Sequence, residues 1–114
     1  MTQVNQSYVI ADHIRAASFI IADGVKPSGK QRGYILRRLI RRALSASLKM
    51  NIDITQQGYY EDLVDAVIGI YDGVYDEIKE NRELIIQILS TEAQKYQRAI
   101  AAGQKEWAKV LKTG

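Results

Sequence analysis

The chain has 114 residues, of which 46% are hydrophobic and 25% charged, the size and composition of one folded globular domain over residues 1–114. One proline and nine aromatics argue against an all-β sandwich, no cysteine leaves no disulfide or thiolate metal site, and a single histidine, His13, cannot form an imidazole cluster for zinc. The net charge of +3 conceals a segregation: residues 1–49 hold nine Lys/Arg against two Asp/Glu, residues 50–83 hold two against nine, and residues 84–114 hold five against two. A basic front beside an acidic middle favours a polyanionic partner on one surface.

No apolar run approaches the roughly 20 residues of a membrane span, and Met1 to Gln6 lacks the basic and apolar regions of a signal peptide, so a cytoplasmic location is the expectation. From about Tyr8 to Ala22, Ile10, Ile14, Ala17 and Ile21 recur at four, three and four residues, the stripe of an amphipathic helix. Asp23-Gly24 ends it, with Gly24 as the left-handed residue of a Schellman motif, Val25 as its hydrophobic partner to Ile20, and Pro27 as a block to continuation. Ser28 to Gln31 has the S-x-x-Q spacing of a capping box and predicts the start of a second helix. On that helix Leu36, Leu39, Ile40, Ala43 and Ser47 fall on one side, with Tyr34, Arg37, Arg38, Arg41 and Arg42 opposite.

Residues 50–58 read as a connection. Tyr60, Leu63, Val64, Val67, Ile70, Tyr71 and Val74 then predict a third, acidic helix whose later part is weakened by Gly69 and Gly73. Asp72 to Glu80 reads as a turn or a short helix, and Asn81 as the cap of a long last helix over residues 82–112. Its stripe runs from Leu84 and Ile85 through Tyr96 and Ile100 to Trp107, Val110 and Leu111. At about 45 Å that helix outruns a domain of this size, so its end projects or packs on a further element. Tyr71, Tyr96 and Trp107 are expected in the core. The fold class is all-α, a bundle of four to five helices with a long C-terminal helix.

The run Arg32 to Ala43 carries the most chemical information. Arg37, Arg38, Arg41 and Arg42 form two i, i+4 rows, and no acid lies between Arg32 and Lys49 to relieve their repulsion. Guanidinium forks bind phosphate oxygens in pairs, and Tyr34 can stack on a base or donate to a sugar. The rival reading pairs these arginines with the acidic third helix, making the chain a structural or protein-interaction bundle; a basic helix for a membrane or calmodulin is a further alternative. Gly24 to Lys30 satisfies G-x-x-x-x-G-K, but Gln31 follows where a magnesium-binding hydroxyl belongs, and a helix precedes where a strand is needed. A nucleotide site, and with it a free-standing ATPase, is therefore disfavoured. His13 beside Asp12 points about 100° away from it and reads as structural, while Asp12 and Arg15 are spaced to pair. No nucleophile with an adjacent base is present.

Val9 to Ala16, Ile20 to Ser28 and Arg32 to Ala43 resemble, in order and spacing, the VIADHIRA, FLIADGVxPS and RGYxLRRxxRRA segments of alanyl-tRNA synthetases, in the helical tRNA-recognition region. Glu83-Leu84-Ile85 and the pattern from Glu92 to Gly103 extend the resemblance to essentially the whole chain. The resemblance implies a monomeric tRNA-recognition segment of a larger class II enzyme that joins alanine to its tRNA. Its partners are the acceptor stem near the G·U wobble pair and the enzyme's catalytic and downstream domains. Catalytic motifs, ATP, magnesium and zinc are implied only for the rest of that enzyme, with no cofactor, metal or catalytic residue in this chain. The candidate tRNA-binding residues are Lys30, Gln31, Arg32, Tyr34, Arg37, Arg38, Arg41 and Arg42. Arg38 and Arg42 match the family's acceptor-stem positions. Gln31 stands where some members carry an asparagine that approaches the wobble pair, although as a capping-box residue it would serve only the helix.

Overall fold

The computed structural model describes residues 5–113, which form five helices: α1 (Gln6–Ala22), α2 (Gln31–Lys49), α3 (Tyr59–Tyr71), α4 (Asp76–Glu80) and α5 (Arg82–Thr113), with no strand among them. Each long helix forms because its apolar stripe has somewhere to go. Ile10, Ile14, Ala17 and Ile21 of α1 are buried, chiefly against Leu36, Ile40 and Ala43 on the facing side of α2, the most extensive helix pairing in the molecule. Leu39, expected on the same buried face, is only half-buried. Val64 and Val67 of α3, Ile78 of α4, and Ile85 and Leu89 of α5 complete one core.

The helix ends are set by local chemistry. The Asn5 side chain accepts from the Tyr8 amide (3.2 Å) and caps α1 at its start. Gly24, with φ +95°, donates to the Ile21 carbonyl (2.9 Å) and Val25 to that of Ile20 (3.3 Å), so the expected Schellman motif forms. Asn51 repeats the motif after α2: its φ is +62°, it donates to Leu48, and Ile52 donates to Ser47. Gly73, at φ +78°, stands in the turn after α3.

The capping box does not form. Ser28 Oγ is taken by Lys30, donating to its carbonyl (3.1 Å) and accepting from its amide (3.3 Å), and no side chain caps the start of α2. The Ser28 amide instead donates to the Gly33 carbonyl (3.1 Å), folding the 26–30 loop onto the first turn of α2. A Cβ at Gly33 would collide with Ser28 Oγ and lie 2.7 Å from the Lys26 carbonyl oxygen, so glycine is needed there. Asn81 also departs from its expected role: its side-chain amide donates back to the Glu77 carbonyl (2.7 Å) in α4.

Helix α5 divides in two. Ile85, Ile86, Leu89, Glu92 and Ala93 are buried, whereas every residue from Ala101 to Lys112 is exposed. A 32-residue helix is about 48 Å long, and its free end stretches the molecule to 58 × 34 × 28 Å. Trp107, expected in the core, is 64% exposed, because its stripe continues past the last helix that could cover it. Val74 is likewise exposed, α3 having ended at Tyr71, and Ile70 is exposed in the last turn of α3. Tyr71 and Tyr96 are half-buried. No described helix is long and apolar enough to cross a membrane.

Candidate nucleic-acid interface

Helix α2 is held by α1 on one flank and by the first half of α5 on the other, leaving a strip of its surface open. Tyr34, Arg37, Arg38, Arg41, Arg42 and Ser45 line a shallow groove of about 390 Å³ whose far wall is Tyr96 of α5. The arginines are not equivalent. Arg37 and Arg41 lean toward α5 and meet Glu92, which is only 1% exposed. Arg37 Nε donates to Glu92 Oε1 (3.2 Å), and Arg41 donates through Nε (3.2 Å) and Nη2 (3.1 Å) to Oε2. The Arg41 guanidinium also lies 5.8 Å from the centre of the Tyr96 ring, within reach of a cation–π attraction.

These two arginines were expected on the open face; their side chains are instead 28% and 37% exposed. Their partner is also not the acidic third helix. Helix α3 meets α2 at its other end, where Ser47 Oγ and Tyr59 OH lie 2.6 Å apart, and Asp65 of α3 pairs with Arg82 of α5 (2.6 Å). Arg82 pulls the Asp65 carboxyl below its usual range.

Arg38 and Arg42 are exposed, one turn apart, and have no hydrogen-bond or ion-pair partner among the described residues. Tyr34 is half-exposed beside them. At the start of the helix Arg32 is committed to Asp23 (2.6 Å), tying α2 to the end of α1, while the Lys30 side chain is exposed and unpaired. Gln31 is exposed, its side-chain amide unbonded, at a φ of +51°, a conformation uncommon for a residue with a Cβ. With the capping box absent, that amide has no structural duty.

The remaining candidates resolve into structural roles. His13 Nδ1 lies 2.9 Å from the Val9 carbonyl oxygen within α1, and Arg15 pairs with Asp12 at 3.0 Å. The Gly24 to Lys30 segment follows a helix rather than a strand, and Gly24 serves as the terminator of that helix, so the phosphate-cradling arrangement of a P-loop is not built. Among the described residues no three His, Cys, Asp or Glu side chains come together to hold a metal.

Residues 2–114 match the family model for tRNA synthetases class II (A). The chain belongs to the class II (A), or alanyl, tRNA synthetases. It is 42% identical over 106 residues to the alanine–tRNA ligase of Borreliella afzelii, covering 91% of this chain and 17% of that protein. It is 44% identical over 102 residues to that of Lactococcus lactis subsp. cremoris (89% and 11%), and 38% over 104 residues to that of Bacillus velezensis (91% and 12%). The chain thus spans between about a tenth and a sixth of the length of these relatives.

Tyr96 of this synthetase segment is half-buried and packed against the core, as its stripe predicts, and its ring also walls the groove. Glu92, behind the groove, is absent from the sequence-based candidates, although it falls in line with Ile85, Leu89 and Tyr96, an acid inside an apolar stripe whose burial as a carboxylate calls for a cationic partner.

Proposed function

We propose that this chain is the part of an alanine–tRNA ligase that grips the acceptor stem of alanine tRNA, as a monomer and without catalysing any step itself. The observation that carries the reading is the pair Arg38 and Arg42. They are free and exposed on a helix whose other arginines are all engaged. A stretch of like charge kept unneutralised costs repulsion in the free protein and is relieved by an anion. Four residues of helix advance about 6 Å, so the two guanidiniums reach neighbouring phosphates of one strand. Duplex RNA is read mainly by shape and backbone, which suits a shallow open groove better than a deep pocket.

Tyr34 lies on the same strip to touch a sugar or base, with Lys30 adding charge at its end. Gln31, whose amide is unbonded, is assigned the base contact near the G·U pair. Activation of alanine with ATP and magnesium, and the zinc chemistry implied by the family resemblance, are assigned to the remainder of the enzyme.

Binding of an alanine acceptor-stem hairpin, with its G·U pair or with G·C in its place, tests this reading by fluorescence anisotropy. The G·U stem is expected to bind tighter, and Gln31→Ala to erase about 1–3 kcal/mol of that preference, the scale of one base contact. Failure of the protein to bind either stem at low salt would overturn the reading.

A further inference from the structure

Glu92 is the one acid among the described residues buried beneath the groove, and nothing in phosphate binding by Arg38 and Arg42 requires it. Its burial is costly unless its lone pairs are met, and they are met entirely by α2, one oxygen by Arg37 and the other by Arg41. The edges used matter. Arg37 gives only its Nε–H, so both of its Nη groups remain unbonded; Arg41 gives Nε–H and Nη2, so its Nη1 remains. Both side chains line the groove as well as the ion pair. Each guanidinium is held by its inner edge with its outer donors still available, and Arg41 is further confined against the Tyr96 ring.

We infer that Glu92 is a positioning residue of the RNA face: it fixes Arg37 and Arg41 so that their outer Nη donors are aimed into the groove before RNA arrives. This rests on the RNA-binding reading above. A free arginine loses rotamer freedom when it closes on a phosphate, whereas one already held by a buried carboxylate has little left to lose, so the contact gains affinity and direction. The sign of the effect separates this from plain electrostatics. Replacing Glu92 by the nearly isosteric Gln removes a negative charge from under the groove, and charge alone would then make RNA bind tighter. Positioning requires the opposite.

The test is stem-hairpin binding by the whole chain, wild type against Glu92→Gln, at low and moderate salt, below the melting temperature of each protein as followed by circular dichroism. Glu92→Gln is expected to bind roughly tenfold more weakly at both salts, the scale of one lost charge-assisted hydrogen bond. Equal or tighter binding overturns the inference. Should Glu92→Gln not fold, Arg37→Lys and Arg41→Lys decide it. Each keeps the formal charge and a partner for Glu92 but turns its only nitrogen inward, so several-fold weaker binding is expected and unchanged binding overturns the inference. If the wild type binds no stem, the RNA reading fails and the inference falls with it; if the wild type binds and only the Glu92 and lysine variants behave like it, the inference alone falls.

Discussion

Arg37 and Arg38 are neighbours in sequence, as are Arg41 and Arg42, yet the two rows they form on α2 have different surroundings. One residue of helix is a 100° turn, enough to send Arg37 and Arg41 toward α5 and leave Arg38 and Arg42 facing water. The inner row meets a buried carboxylate and helps hold α2 to α5. The outer row has no hydrogen-bond or ion-pair partner among the described residues. A run that looks uniform in sequence is therefore two pairs, one anchored in the fold by its inner edge and one wholly free, and the value of each arginine depends on which side of its neighbour it stands.

Removal of Glu92 should give the largest effect on stability. Glu92→Ala leaves two guanidiniums facing each other without their counter-ion, and urea or thermal unfolding should show a loss of about 3 kcal/mol. That is the low end for breaking a buried ion pair, because both arginines can reach water. In the same measurement Arg41→Ala should cost about 1–2 kcal/mol through lost charged hydrogen bonds. Arg38→Ala and Arg42→Ala should stay within about 0.5 kcal/mol of the parent, as surface substitutions do. Equal costs in the two rows would break the comparison.

A smaller effect sharpens it with an ion pair of the other kind. Asp65 and Arg82 pair on the surface between α3 and α5, and the arginine lowers the Asp65 carboxyl in the folded state. A depressed carboxyl stabilises the fold above its unfolded value, near 4, and that contribution disappears as pH falls through the lowered folded value. Stability should therefore decline on acidification below about pH 4, less so in Asp65→Asn. Moderate salt should weaken this exposed pair while leaving the Glu92 cluster largely intact.

Much of the fold was legible in the sequence because periodicity reports which side of a helix is apolar. The buried faces of α1 and α2 and the full extent of α5 follow from it, as the stop at Gly24 follows from local chemistry, while the stretch from Asp72 to Glu80, open in the sequence between a turn and a short helix, holds the short α4. What periodicity cannot report is whether a neighbour reaches that side. Trp107 and Val74 continue their stripes beyond the last packing partner and so are exposed. The capping box failed for a related reason: S-x-x-Q spacing is necessary, but the Ser28 hydroxyl was drawn to the Lys30 backbone. In the site, the arginine strip and Tyr34 could be read directly, since they share a face. The partner of the inner row could not be found from segment charges, because the acidic middle of the chain lies where α2 ends, and a single acid on α5 matters more than all of α3.

The salt dependence of stem binding tests the central division most directly. Affinity should fall linearly on a double-logarithmic plot against salt, with a slope set by the number of phosphates neutralised. Measured for the wild type, Arg38→Ala, Arg42→Ala and the double variant, the slope should become shallower by about one unit for each arginine removed, with stability essentially unchanged. A double variant that keeps the wild-type slope and affinity would contradict the assignment of the outer row to RNA.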